Sequence, residues 1–587
     1  MMKKRRLLVA LLMIGIGAGP FGCEAPRDEG VRLFADVHRP EKSVVIFFAD
    51  GLARPRLEAM LDAGRLPNIS KYFVNGGVEV THAITSIPSL TYPNTVSLLT
   101  GLFPGHHGIL GNRWFDRSSL KYQDYARAST YRSANYDFSQ PTIFEIMRDR
   151  FTVNVQCPTR RGATYTIDNW APTGIDWFFG DYLAIDRRVG EDILQVAKVA
   201  NDRRRWPTVL LFYFPGVDMV GHRSGSFSKQ YAAAVENLDT QIGAVINALH
   251  SAGIDKTSYF VLLSDHGHVR QKSGDVFDLV DWLKHQCGLH VFQKRIDFEH
   301  NAWAFFVLHH FDAVVINGAY RRCVIHLKGP LGWANPARKE DILRVVEGAA
   351  LNESRGDRTK EDRSTALYAQ RGVAMVCVRD GPNRVKVFSR KGSCIIERRV
   401  ETAAPVSNRC PQRLPQYRLL YPKPDDSATR AASDPLSYLD STKLAVFVAQ
   451  GWHGSRQWLA ATAASRFPDF VPQIVEMFDS SRAGDIVVFA AKDWSFGGHE
   501  PSGHGSVLAE DMLVPLYFSG PGLPAGGRID HARLVDVMPT VVDLLGEASR
   551  LIGIRPIDGV SVASELRAAP RKVTPADAES VKSADKD

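Results

Sequence analysis

The sequence predicts an α/β fold, a mostly parallel central sheet sandwiched by helices, with a smaller α+β insertion. Three observations predict it. Apolar runs of strand length recur at 43–49, 151–156, 209–214, 259–264, 485–490 and 513–518. Between them, segments such as 230–249 and 534–545 carry apolar residues at helical spacing. Several runs exit into an acid, as at Asp50, Asp218 and Asp265. Strands alternating with helices imply a parallel sheet covered on both faces, with ligands collecting outside the carboxyl ends of its strands.

Taken in order, the chain opens with Lys3, Lys4, Arg5 and Arg6 ahead of a short apolar run, 7–19. That run is too short to span a bilayer and reads as the core of a signal peptide. It leads into Gly19-Pro20-Phe21-Gly22-Cys23, which resembles a bacterial lipoprotein cleavage box, although Pro20 and Phe21 match it poorly. The resemblance implies export to the periplasm and a lipid anchor on Cys23 that holds the protein at a membrane surface. A plain secretory signal cut nearby is the alternative. Residues 24–41 read as a tether, 42–287 as the first part of the core, 288–444 as an insertion or cap, 445–567 as the second part of the core, and 568–587 as a disordered tail. Within the insertion, 373–378, 384–389 and 394–399 read as an antiparallel meander with turns at 380–383 and 391–393. Once Cys23 is set aside, Cys157, Cys287, Cys323, Cys377, Cys394 and Cys410 remain. An even number in an oxidising compartment predicts one or more disulfides, and Cys377 and Cys394 could face each other across the meander.

A formal charge of +8 over 587 residues is only mildly basic, and part of it is the leader. No helix-turn-helix, zinc-finger or RNA-recognition pattern accompanies it, so no specific nucleic-acid partner is expected.

The chemistry is concentrated at the strand exits. Asp50 closes an apolar strand, and 41 residues later comes Thr91, within Pro88-Ser89-Leu90-Thr91-Tyr92-Pro93-Asn94, a hydroxyl on a tight turn that opens a helix. Asn112 follows in a Gly-rich turn. Asp218 follows another strand with His222 four residues on, Asp265 and His266 are adjacent at a third exit, and His504 sits in a Gly-rich loop. Acids, imidazoles and a hydroxyl form the N/O donor set that zinc and some manganese or iron sites take. Each piece alone has an ordinary reading. Asp50 could cap a helix, Asp218 and His222 could be a surface pair, and Thr91 and Asn112 could be turn residues. His499 competes with His504. Arg160 and Arg161 could face an anionic substrate or simply line a solvated loop, and 170–182, rich in aromatics, could line a substrate mouth or pack in the core.

Taken in order, these residues resemble the alkaline phosphatase superfamily, most closely its nucleotide pyrophosphatase/phosphodiesterase branch, across roughly 43–560. Leu90 departs from that branch, which usually has Lys there. The resemblance implies an alkaline-phosphatase-like fold and two divalent metal ions, zinc foremost, with manganese or iron accepted by the same donors. Asp218, His222 and His504 would hold one ion. Asp50, Asp265, His266 and the Thr91 oxygen would hold the other. A threonine hydroxyl is almost fully protonated at neutral pH, and coordination to a dication is one of the few ways to make it a nucleophile. Asn112 and the Thr91 backbone N–H would donate to the phosphoryl oxygens. A phospho-threonine intermediate followed by hydrolysis gives two inversions and net retention at phosphorus.

The function expected is therefore that of an exported two-metal phosphodiesterase or pyrophosphatase acting on a small-molecule phosphoester. The alternatives are a phosphomonoesterase or a phosphonoacetate-hydrolase-like enzyme, and, from another class, a non-catalytic ligand-binding envelope lipoprotein. A sulfatase is disfavoured, because Thr91-Tyr92-Pro93-Asn94 lacks the Cys/Ser-x-Pro-x-Arg pattern.

Overall fold

The computed structural model describes residues 31–293, 306–350, 363–401, 414–422, 433–554 and 556–571. The leader with Cys23, Cys410, most of the polar loops at 352–364 and 423–434, and residues 572–587 of the expected tail lie outside the described residues. Among the described residues no helix is long and apolar enough to cross a membrane.

The strand Ser43–Ala49, buried along its whole length, sits in the middle of a nine-stranded sheet. It pairs in parallel with Val209–Phe214 on one side and Ser258–Leu263 on the other. Thr152–Val155 and Tyr165–Ile167 continue the parallel block. Leu516–Ser519, Gly77–Ile84 and Leu513–Val514 add antiparallel pairings, and Gly527–Arg533 runs parallel along Gly77–Ile84.

Period-two alternation explains why these strands are apolar throughout. Val45, Phe47 and Ala49 pack into one layer with helices Tyr182–Asp202 and Lys229–Ser251. Val44, Ile46 and Phe48 point to the opposite layer, with helices Thr91–Thr100 and Val537–Leu544. The result is the expected α/β sandwich. Phe47 is completely buried between ring neighbours Phe73 and Phe212, so truncating it to alanine should cost about 3–5 kcal/mol.

A second nine-stranded sheet, mostly antiparallel, runs from Val291–Phe292 to His453–Gly454 and contains the meander Val373–Arg379, Arg384–Ser389 and Gly392–Glu401. The run at 485–490, expected in the parallel core, lies here instead. Ile486–Ala490 pairs antiparallel with Arg322–Leu327 and Val373–Arg379. An apolar run buried on both faces reads the same in either sheet, so composition could not assign it. The run at 513–518 is broken at Pro515, which has no N–H to give a ladder; Leu513–Val514 and Leu516–Ser519 pair separately.

The expected disulfides are absent among the described cysteines. Cys157, Cys323, Cys377 and Cys394 are free and buried, and Cys287 is buried with its Sγ 3.9 Å from the Val345 carbonyl. Cys377 and Cys394 both register on Val387, from opposite sides. A whole strand therefore separates them, roughly 9–10 Å, beyond the reach of a bridge. Residues 31–41 of the expected tether pack on the core: Val31 and Val37 are buried, and the Phe34 amide donates to Asn201 Oδ1 at 2.8 Å.

Candidate metal centre

Strand register assembles the site. Ala49 pairs with Phe214 and Phe48 with Leu263, so the residues just beyond, Asp50 and the Ser264-Asp265-His266 turn, reach one edge of the sheet together. Gly51, at φ +63°, makes the turn that follows Asp50, and a Cβ there would lie 2.6 Å from Asp218 Oδ1. Its amide donates to Asp265 Oδ1 at 3.1 Å, and the Leu52 amide donates to Ser264 Oγ at 3.0 Å.

Asp218 lies in the first turn of helix Gly216–Ser224, where the helix dipole favours an acid, and His222 follows one turn later. Thr91 is the first residue of helix Thr91–Thr100. The loop ahead of it is fixed by Asn94, whose Oδ1 accepts from the Ser86 amide at 2.8 Å while Nδ2 donates to the Pro88 and Leu90 carbonyls at 2.9 and 3.0 Å.

Two imidazoles are oriented by carbonyls. His266 Nδ1 lies 3.0 Å from the Gly267 carbonyl and His504 Nδ1 lies 3.0 Å from the Ser89 carbonyl. A carbonyl only accepts, so each Nδ1 carries a proton and each Nε2 faces inward. His266 Nε2 is 3.3 Å from Thr91 Oγ1, from Asp50 Oδ1 and from Asp265 Oδ2. His504 Nε2 is 3.2 Å from His222 Nε2 and 3.8 Å from Asp218 Oδ1, and His222 Nε2 is 3.5 Å from the same oxygen. Donors about 2.0–2.1 Å from a tetrahedral ion sit about 3.3 Å from one another, so these separations suit shared coordination.

The oxygens themselves give a second test of fit. Asp50 Oδ1, Asp218 Oδ1 and Asp265 Oδ2 are buried without a hydrogen-bond partner. Leaving one charged oxygen so placed is costly, and three in one cluster match the donor set of a cation site. Two groups of donors converge within 4.8 Å of one another, Asp218 with His222 and His504, and Asp50 with Asp218 and His266. Asp218 belongs to both, whereas Asp265 meets the second group through its contact with His266.

The electrostatics follow the same crowding. Burial pushes the Asp265 carboxyl up, and the Asp50 charge adds to it, so it lies well above the usual range. Burial also opposes charge on Asp218, but the surrounding imidazoles, His222 foremost, hold its carboxyl well below that range. His266 resists burial because Asp265 and Asp50 face it, and its value rises to about 10. His504 is driven well below the ordinary imidazole value by burial and by His266. A proton on His266 and a dication answer the same carboxylates, so they compete for one place.

Asn112 Oδ1 accepts from the Tyr92 amide at 3.1 Å. That bond fixes the orientation of the side-chain amide and leaves Nδ2 as the donor at the start of the Thr91 helix.

Other sequence candidates are accounted for elsewhere. Arg160 pairs with Asp168 at 2.5 Å and Arg161 with Glu145 at 2.9 Å. His499 lines an outer cavity of about 550 Å³ with Arg270 and Lys272 and stays outside the cluster. Helix Trp170–Phe179 exposes Trp177, Phe178 and Phe179 instead of packing them in the core. His106 joins a separate ionic network with Glu476, Asp479 and Asp558, and His107 bonds Ser97. The sequence reading missed Glu500, whose Oε2 lies 2.5 Å from His222 Nδ1, and Tyr213, whose hydroxyl donates to Asp50 Oδ2. Strand alternation could have found Tyr213, two residues before the strand exit; no spacing signal connects Glu500 to His222.

A helix-covered, mostly parallel sheet with acids and imidazoles gathered at its carboxyl edge is the alkaline-phosphatase-like architecture. The model of the type I phosphodiesterase/nucleotide pyrophosphatase family matches residues 44–381, and the chain belongs to that family. It is 29% identical over 230 residues to an uncharacterized pyrophosphatase/phosphodiesterase of Schizosaccharomyces pombe, covering 39% of this chain and 45% of the relative. It is 26% identical over 228 residues to ectonucleotide pyrophosphatase/phosphodiesterase family member 1 of Mus musculus, covering 38% of this chain and 24% of the relative. For family member 5 of Homo sapiens the identity is 27% over 215 residues, covering 36% of this chain and 43% of the relative. The matches thus span less than half the length of these relatives.

Proposed function

We propose that the protein is a two-cation phosphodiesterase or pyrophosphatase that cleaves a small-molecule phosphoester through a phospho-threonine on Thr91. The observation that carries this reading is the Thr91 hydroxyl, 3.3 Å from His266 Nε2 and beside three buried carboxylates with unpartnered oxygens. Asp218, His222 and His504 would hold one cation, and Asp50, Asp265, His266 and Thr91 Oγ1 the other. Bound there, a pair of dications would lower the pKa of the threonine hydroxyl and neutralise charge on the phosphoryl oxygens.

The chain's own groups do the rest. Thr91 opens its helix, so its hydroxyl and backbone N–H sit at the helix N-terminus, which favours an anion. Asn112 Nδ2 would donate to a non-bridging phosphoryl oxygen, with Oδ1 already held by Tyr92. Attack by Thr91 Oγ forms the O–P bond as the alcohol leaves on the far side, and water then cleaves the phospho-threonine. Export, with a lipid anchor on Cys23, and the division into core 42–287 and 445–567 around a cap at 288–444 belong to the same reading.

The test compares bis-p-nitrophenyl phosphate with p-nitrophenyl phosphate, alongside metal analysis of the purified chain. Preference for the diester with bound transition metal supports the proposal. Preference for the monoester favours the phosphomonoesterase, and absence of both activity and metal favours a binding lipoprotein.

A further inference from the structure

His268 lies two residues beyond His266, and its side chain is buried. Neither ring nitrogen has a hydrogen-bond partner. Nε2 is 3.3 Å from Asp218 Oδ1, an oxygen that is itself unpartnered. The ring stands edge-on to His222, with centroids 4.7 Å apart, and Tyr231 packs behind it at 6.3 Å.

The helix carrying Asp218 and His222 makes room for this ring. A side chain at Gly221 would put its Cβ 2.6 Å from His268 Nε2. Glycine inside a helix weakens it, so the missing side chain has a use, which is to let an imidazole lie against Asp218. An apolar side chain of similar size would fill the same cleft without burying unpartnered nitrogens. The imidazole is therefore not explained by packing.

Resting on the two-cation reading, we infer that His268 is a positioning residue for the cation held by Asp218, His222 and His504, acting through the Asp218 carboxylate. It is not placed as a fourth ligand, because it does not join the three donors that converge within 4.8 Å, although its ring stands edge-on to both His222 and His504, with centroids 4.7 and 5.7 Å away. Metal-binding carboxylates are themselves held by hydrogen bonds, and losing such a partner typically weakens metal affinity about 10–100-fold. His268 stands where such a partner would stand.

The test measures zinc affinity of the full chain by competition with a chromogenic chelator, and the visible spectrum after cobalt substitution, in wild type, His268→Met and His268→Gln. The Met variant should bind one of its two zinc ions about 10–100-fold more weakly and shift the cobalt bands. The Gln variant, which keeps an N–H donor, should fall closer to wild type. Should the Met variant not fold, His268→Ala, which leaves space instead of filling it, carries the same comparison. Wild-type affinity and spectrum in both variants, or equal weakening in both, would overturn the inference alone. A wild-type chain that takes up no transition metal would overturn the two-cation reading and this inference with it.

Discussion

Thr91 Oγ1 and His266 Nε2 lie 3.3 Å apart although 175 residues separate them. One opens a helix and the other follows a strand exit, and the central sheet brings them together. If Thr91 is the nucleophile, Thr91→Ala should lower diester turnover by about 10³-fold or more, while Thr91→Ser retains measurable activity. Mass spectrometry of wild type acid-quenched during turnover of bis-p-nitrophenyl phosphate should show a p-nitrophenyl-phosphoryl group on the peptide carrying Thr91, since only one of the two ester bonds is broken in the first step. Turnover by the alanine variant at the wild-type rate would remove the hydroxyl from the reaction.

Asn112 is held by the Tyr92 amide through Oδ1. If Asn112 donates to the phosphoryl group, Asn112→Ala should lower kcat by about 10²–10³-fold with a smaller change in KM, since such donors act on charge in the transition state. An effect confined to KM would mean that Asn112 only binds the ground state.

The same sheet shows what the sequence made legible. Asp50, Asp218 and Asp265 could be placed because each follows an unbroken apolar run, and such a run has one exit. His499 and His504 compete in one Gly-rich stretch, and the loop brings His504 to His222. What escaped was long-range pairing. Ile486–Ala490 reads as a core strand by every local criterion, yet its partners are Arg322–Leu327 and Val373–Arg379. Glu500 reaches His222 from 278 residues away, and nothing in its own neighbourhood marks it.

Glu500 leads to a third prediction. Its carboxylate meets His222 Nδ1 at 2.5 Å, the arrangement that fixes a ligating imidazole's tautomer and raises its basicity. If His222 ligates one of two cations, Glu500→Gln should weaken zinc affinity at that site about 10-fold or more, read by chelator competition, and leave the second ion in place. Loss of both ions together would point to collapse of the loop instead.

If a cation occupies the cluster, stripping it should destabilise the fold. Asp50, Asp218 and Asp265 are buried side by side with unpartnered oxygens. A cation present at about 100 times its dissociation constant adds about 2.7 kcal/mol. Chelation is therefore expected to lower the melting temperature by roughly 2 °C, reversed by added zinc. A melting curve indifferent to chelator would argue against a cation at this cluster.

Arg321 and Asp511 form a fully buried bidentate pair, 3.1 and 3.2 Å between donors and acceptors, and Asp511 also accepts from the Ser506 amide two residues past His504. The pair ties the second sheet to the His504 loop. Arg321→Met leaves a buried carboxylate behind and should cost about 3–5 kcal/mol, while Arg321→Met with Asp511→Leu should recover much of that. Denaturant midpoints of the two variants decide it. An equal loss in both would show that the guanidinium's other bonds, to the Ala491 and Trp494 carbonyls, matter more than the charge pair.

The His106 network gives the pH dependence. Burial works against its charge, but Asp558, Asp479 and Glu476 together hold the imidazole well above its ordinary value. Nδ1 meets Asp558 at 2.6 Å, and Nε2 meets Glu476 and Asp479 at 2.8 and 3.1 Å. A raised folded-state value means that stability from this group is fully present below the unfolded value of about 6.5 and is lost as pH climbs through the folded one. His106→Asn should therefore lower the melting temperature more at pH 6 than at pH 9. The lower limit of the comparison is set by the carboxylates, which must stay ionised, so pH 6 is low enough. A larger loss at pH 9 than at pH 6 would mean that His106 is neutral in the native protein and serves as a hydrogen-bonding spacer between acids.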